Sequence, residues 1–220
     1  MGLPLRVTTA SGAEAREPYL LRVGGWTEAR YFAEAPETRL VEFEEGEVIM
    51  HSPAGTRHQR LVGLVSFVLT GYVARHRLGT VLNGPAVVRL RPGLDYEPDI
   101  FFVPQADLGR LGEQYFAGAP ALVVEIVSAG TRHHDLHTKA ANYQRHRVKE
   151  YWAVDVQKRA LIRHQRAGRA TAPYRVTRHA KGRVASTAIP GFWLEASWLW
   201  RQPLPPELEC LERILGSGRT

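Results

Sequence analysis

Apolar and polar positions along the chain follow two periods, which together predict a sheet flanked by helices. A stripe with helical spacing predicts a long amphipathic helix over residues 57–76. Its apolar members are Leu61, Leu64, Val65, Val68, Leu69 and Tyr72. Short apolar runs rich in β-branched residues predict strands at 40–43, 47–50, 80–82, 86–90, 100–103, 121–127, 151–156, 160–164 and 174–176. Further helices are predicted at 27–35, 131–146 and 207–215.

No internal repeat or low-complexity linker divides this pattern, so we expect one mixed α/β domain with a central mixed sheet. The predicted domain spans residues 23–200. Residues 1–22 show little periodicity, and we interpret them as an N-terminal extension that could be flexible. Residues 201–220 are expected to form a last helix and a tail.

Two acidic residues stand in or beside apolar strands. Glu125 lies within the run 121–127, where a carboxylate is costly unless it is paired or binds a cation. Asp99 opens the strand 100–103. The alternatives are an ion pair with a buried arginine for Glu125 and a turn cap for Asp99. Two strands that each carry one acid, followed by a helix with a lysine, point to divalent-metal and phosphodiester chemistry.

Composition narrows the class of protein. Of 220 residues, 44% are hydrophobic and 23% are charged, which is ordinary for a soluble globular domain. The formal net charge of +7 favours a polyanionic partner, and nucleic acid is the commonest one, although a merely basic surface is the alternative. A single cysteine, Cys210, excludes an internal disulfide and a thiolate zinc site. We therefore expect a cytoplasmic protein, with neither a signal peptide nor a membrane span.

A group of histidines follows the Glu125 strand. The group consists of His133, His134 and His137, and it could indicate a transition-metal site. Since the chain lacks a second thiolate and a HExxH motif, a phosphate-facing basic edge is the better interpretation. That edge would also include Arg132, Arg145 and Arg147.

Two further residues have competing interpretations. His58 begins the long predicted helix and could face the same cleft as the acids, or it could be a satisfied helix-start histidine. Lys139 follows Asp135 by four residues, a spacing that also suits a surface ion pair on a helix.

Taken together, these segments resemble the Uma-type putative restriction endonuclease family within the PD-(D/E)XK nuclease-like superfamily. The matching segments are 40–47, 51–53, 57–59, 97–100, 118–128 and 148–155, with Asp135, Lys139 and Tyr143. The resemblance covers roughly residues 27–198. It implies a restriction-endonuclease-like core, a central mixed β-sheet flanked by helices, with a metal-dependent nuclease site.

The resemblance also implies residue roles. Asp99 and Glu125 would be catalytic acids that bind Mg²⁺ or Mn²⁺, and Glu47 would be an auxiliary acid and a further metal ligand. In the superfamily at large a lysine follows the second acid by two residues, where this chain has Val127. The Uma-type pattern relocates that lysine to the next helix, which points to Lys139 as the catalytic lysine.

His58 and Asp135 complete the predicted site as auxiliary residues. The expected function is a divalent-metal-dependent endonuclease that hydrolyses DNA phosphodiester bonds. A catalytically silent nuclease-fold module that binds nucleic acid or a protein partner is the main alternative, and a metal-binding hydrolase of small phosphoesters is a more distant one. We expect DNA as the partner and no association with a membrane. The sequence is compatible with a homodimer.

Overall fold

Two six-stranded mixed sheets form the frame of the molecule. A computed structural model describes residues 20–35, 41–52, 54–166, 168 and 172–216. The strands are β1 Leu20–Gly24, β2 Val41–Glu44, β3 Glu47–His51, β4 Gly79–Asn83, β5 Val87–Arg91, β6 Leu94–Tyr96, β7 Ile100–Pro104, β8 Tyr115–Ala117, β9 Leu122–Val127, β10 Glu150–Asp155, β11 Ala160–Arg166, β12 Tyr174–His179, β13 Arg183–Ala185 and β14 Trp193–Glu195. The helices are α1 Glu28–Glu34, α2 Thr56–His76, α3 Ala140–Arg145 and α4 Glu207–Gly216. Gln105–Arg110 and Ala196–Trp200 are 3₁₀ segments, and the π-helical segment His134–Lys139 leads directly into α3.

The central sheet has the order β12-β11-β10-β9-β7-β4, and the second sheet has the order β1-β3-β2-β6-β5-β8. Each sheet contains one parallel pair, β9 with β10 and β5 with β8, and its other pairs are antiparallel. Within the described residues, β13 and β14 form a third, two-stranded sheet. The predicted mixed α/β fold with flanking helices is confirmed, with a second large sheet added to the central one.

Helix α2 covers one face of the central sheet. Its predicted stripe is buried throughout, and it packs against alternate residues of the neighbouring strands, such as Phe102 and Val124. Helix α4 packs on α2 through Cys210 and Ile214, which are both buried in the same core. Cys210 therefore has a packing role.

The opposite face of the central sheet looks toward the second sheet and α3. Here the intervening strand residues Phe101 and Val123 pack with Tyr96 and Tyr143 in a separate core. Because successive side chains on a strand alternate between faces, Glu125 shares the face of Val123. This acid is thus placed between the two sheets and not under α2.

Several elements differ from the sequence-based expectation. Residues 20–22, assigned to the N-terminal extension, belong to β1, which pairs with β3 along its whole length. The sequence pattern over 105–119 predicts a loop or a short helix, and the structure has a 3₁₀ segment and strand β8 there. Short strands such as β8, β13 and β14 have three residues each, too few to show a periodic pattern. Residues 1–19, Leu40 and the tail 217–220 lie outside the described residues.

No helix within the described ranges is both long enough and apolar enough to span a bilayer.

Candidate active site

The two predicted metal-binding acids meet at the end of one strand pair. Strands β7 and β9 are antiparallel, with Ile100 opposite Val124, so the same register sets Asp99 opposite Glu125 on the inner face. Each carboxylate accepts a hydrogen bond from the other strand. The Asp99 N–H donates to Glu125 Oε2 over 3.2 Å, and the Ile126 N–H donates to Asp99 Oδ2 over 2.7 Å. Strand register therefore brings the two acids together.

Lys139 reaches this acid pair from the π-helical segment. Its Nζ donates to Glu125 Oε1 over 2.8 Å and lies 2.7 Å from Glu42 Oε1. The Asp135 carboxylate is farther away, at 3.8 Å. Lys139 is only 2% exposed, which rules out the alternative of a surface ion pair with Asp135. Burial lowers the pKa of Lys139, but Glu125 and Glu42 outweigh it and hold that pKa well above the usual value.

Glu42 is a site residue that the sequence interpretation missed. It lies in the middle of β2 and is 1% exposed. His51 Nε2 and His134 Nε2 each lie 3.3 Å from its Oε2. Burial alone would raise the pKa of Glu42, yet Lys139 and the two histidines hold it well below its usual range. The available signal was an acid between two apolar strand residues, the same signal that singled out Glu125.

Glu125 has the opposite electrostatic state. Burial raises its pKa to about 8; Lys139 opposes the rise, and Asp99, Asp135 and Glu42 add to it. The hydroxyl of Tyr143 donates to Glu125 Oε1 over 3.1 Å. Too many carboxylates thus share one lysine, and Glu125 is the acid whose ionised form is disfavoured as a result.

Asp135 and His58 also line the cleft. The Asp135 carboxylate accepts a hydrogen bond from the Thr131 hydroxyl, and burial raises its pKa. His58, in the first turn of α2, places Nε2 3.2 Å from Asp99 Oδ2. Burial lowers the pKa of His58, but the contact with Asp99 prevails and raises it above its usual value. His58 therefore faces the cleft as the ionic partner of Asp99.

Glu47 lies apart from these residues. Its side chain is 42% exposed, and it pairs with Arg22 Nη1 over 2.9 Å. Arg22 also contacts Glu44 and, at 3.4 Å, His134 Nδ1. Glu47 begins β3 at the hairpin turn and does not line the cleft, whereas Glu42 does. The structure thus brings Asp99, Glu125, Lys139, His58 and Asp135 together, and leaves Glu47 outside.

The cleft above these side chains has a volume of about 180 Å³. Its chemistry fits a hard divalent cation, because Asp99 and Glu125 offer carboxylate oxygens and the carboxyl groups that line the cleft outnumber its one lysine. Among the described residues, no three His, Cys, Asp or Glu side chains form a ready-made metal cluster. Asp99 and Glu125 are therefore the residues that would hold such a cation, as a pair of carboxylates.

The residues of the predicted basic edge lie on two different sides of the helical segment that carries them. His134 is buried against Glu42, on the cleft side. His133 and His137 are exposed, with ring centroids 4.9 Å apart, and they line a separate groove with Arg132.

Comparison with known proteins identifies the fold and the family of the chain. A solved structure described as a putative nuclease belonging to DUF820 from Anabaena variabilis ATCC 29413 superposes with a TM-score of 0.60 at 16% identity, over 77% of this chain and 94% of that one. At this identity the likeness shows a shared fold. No curated protein matches the chain. The family described as Uma2, putative restriction endonuclease, matches residues 28–197, so the chain belongs to the Uma2 family.

Proposed function

We propose that this protein is a divalent-metal-dependent endonuclease that hydrolyses phosphodiester bonds of DNA. The main support is the acid pair of Asp99 and Glu125, held on one sheet face at the floor of an open cleft with the Lys139 ammonium 2.8 Å from Glu125. Membership of a family of putative restriction endonucleases and the net charge of +7 agree with a nucleic-acid substrate.

Asp99 and Glu125 would hold Mg²⁺ or Mn²⁺. Such a cation polarises a phosphoryl oxygen and lowers the pKa of a bound water. The chain's own contribution is electrostatic. Lys139 fixes the Glu125 carboxylate and brings a positive charge to the cleft floor, where it would stabilise negative charge that builds up on the phosphate. His58 fixes Asp99 in the same way, from the first turn of α2.

Glu42 is proposed as the residue that positions Lys139. The ammonium lies between Glu42 Oε1 and Glu125 Oε1, so the two carboxylates together define where it sits. The histidines on the other Glu42 oxygen keep that carboxylate in place. Glu47, which pairs with Arg22 outside the cleft, would contribute little.

A catalytically silent module is the second candidate, and one observation favours it. The Lys139 ammonium is already bonded to two buried carboxylates, an arrangement that would also serve as a purely structural ion pair. In that case the cleft would bind nucleic acid or a protein without hydrolysis.

Cleavage of supercoiled DNA in Mg²⁺ or Mn²⁺ tests the proposal. We expect the wild-type protein to nick or linearise the plasmid, and EDTA to stop it. Glu125→Gln should lower the rate by orders of magnitude because it removes a metal-binding carboxylate. Glu42→Gln should also reduce cleavage, while Glu47→Gln, the matched control on the neighbouring strand, should leave it within about twofold, since its pair with Arg22 is exposed.

Two outcomes would count against the assignment. Equal activity of the wild type and Glu125→Gln would trace the cleavage to a contaminant or to another site. A wild-type protein that binds DNA, responds to Mg²⁺ and yet leaves both plasmid strands intact would favour the silent module.

A further inference from the structure

A second groove, of about 340 Å³, lies on the far side of the helical segment that carries Asp135 and Lys139. Two of its lining residues, His133 and His137, precede Asp135 and Lys139 by two positions each. On a helix, side chains two positions apart point to nearly opposite faces. Strands β11 and β12 supply His164 and Arg178 to the same groove. One short segment thus has the acidic cleft on one side and a cationic groove on the other.

The groove has the electrostatics of an anion site. Its lining contains two arginines and three histidines and no carboxylate. Arg178 is exposed, and its guanidinium forms no ion pair with any residue in the described part of the chain. Arg132 is partly neutralised, since its Nη2 lies 2.6 Å from Asp155 Oδ2. At least one full positive charge therefore faces the groove without a protein counter-ion among the described residues.

His164 adds a second, independent observation. It is 9% exposed and lines the groove, and its Nε2 has no hydrogen-bond partner within the described ranges. A buried polar atom of this kind calls for a partner. Burial, with a smaller effect of Arg178, lowers the pKa of His164 to about 4, so the ring is neutral at physiological pH and can donate one N–H.

A metal ion is a poorer ligand for this groove than an anion. The three imidazoles are not gathered into a metal-binding cluster, as judged over the described residues. The guanidinium groups of Arg132 and Arg178 would also repel a cation.

We infer that this groove binds a phosphate group, and that its source is a backbone phosphate of the same DNA strand that enters the cleft. The nucleic-acid source rests on the proposed function. A helix with its side chains is about 10–12 Å across, a distance that a DNA strand covers within a few nucleotides. The groove would therefore contact a phosphate close to the scissile one, across the segment that carries Lys139.

Binding of a short DNA duplex without metal, over a salt titration, tests this site with Arg178→Ala. Arg175→Ala is the matched control, because Arg175 lies on the same strand, is exposed and points to the opposite face. We expect Arg178→Ala to weaken binding several-fold at low salt and to reduce the slope of log K against log salt by about 1. Arg175→Ala should leave that slope unchanged.

Inorganic phosphate distinguishes the two sources of the ligand. Phosphate should shift the imidazole NMR signals of His133 and His137 in the wild type and not in Arg178→Ala. If phosphate shifts these signals but Arg178→Ala and Arg175→Ala bind DNA equally well, the ligand of the groove is not a DNA backbone phosphate. No phosphate response, together with equal DNA binding by both variants, would overturn the site altogether.

Neither readout depends on cleavage, so the two proposals can fail separately. A wild-type protein that cuts nothing but shows Arg178-dependent binding loses the endonuclease assignment and keeps this site. A protein that cuts plasmid while both arginine variants bind alike keeps the endonuclease assignment and loses this site.

Discussion

At the scale of single residues, one buried lysine decides how the surrounding acids are charged. Glu42 and Glu125 both contact the Lys139 ammonium, yet the pKa of Glu42 is held low and that of Glu125 is raised. The difference arises from the remaining neighbours, because Glu42 also faces two histidines while Glu125 faces Asp99. Glu42 is thus held as an anion, whereas Glu125 is a carboxyl group whose ionised form a bound cation would stabilise.

Replacing Lys139 should therefore reduce the stability of the fold as well as the proposed activity. Lys139→Met would leave two buried carboxylates without their common partner, and we expect it to lower the free energy of unfolding by about 3–5 kcal/mol. The control is Lys149→Met at an exposed position, which should change stability by no more than about 0.5 kcal/mol. Urea denaturation of both variants provides the measurement. Similar, small losses in the two proteins would mean that the buried ion cluster contributes nothing to stability.

At the scale of elements, sequence patterns predicted most of the frame but not the partners of its strands. The long stripe from Leu61 to Tyr72 predicted α2, and the apolar runs predicted β7 and β9 with their acids. Glu42 was missed because a single acid in a four-residue strand is usually solvated, and its burial depends on contacts with His51 and His134. Such contacts join residues far apart in sequence, which local periodicity does not encode.

Helix α2 offers a matched pair of glycines for testing its packing. A Cβ at Gly63 would meet nothing within 4 Å, whereas one at Gly71 would lie 2.5 Å from Leu211 Cδ2 on α4. Gly63→Ala should therefore stabilise the protein by about 0.5–1 kcal/mol, through helix propensity alone. Gly71→Ala should gain less or lose stability, because Leu211 must move. Thermal unfolding of both variants decides the matter, and an equal gain in the two would show that α4 does not pack closely on α2.

At the scale of the whole molecule, the excess of buried acids links stability to pH. Burial raises the pKa of Glu125 from 4.5 to about 8, with neighbouring acids adding to the rise and Lys139 opposing it. Between these pH values the folded state binds more protons than the unfolded state, so this residue makes the free energy of unfolding fall as pH rises. Above pH 4.5, the usual pKa of Glu125, keeping this carboxyl buried between the two sheets therefore lowers the stability of the fold.

Glu125→Gln removes this contribution. Without added metal, its stability relative to the wild type should increase from pH 5 to pH 8, as measured by urea denaturation at both values. Glu113→Gln, at an exposed position, should show no such change with pH. A constant difference between Glu125→Gln and the wild type across this range would mean that Glu125 titrates near its ordinary value in the folded protein.

The two hydrogen bonds that cross between Asp99 and the Glu125 strand have a consequence for how the chain finds its native state. A slip of β7 by one residue along β9 would break both bonds and rotate the Asp99 carboxylate into the apolar layer under α2. Such a misaligned sheet would lose the ladder contacts and bury an unpaired charge at once. Correct alignment of β7 on β9 and assembly of the acid pair are therefore a single event, and the wrong register is already disfavoured while the sheet forms.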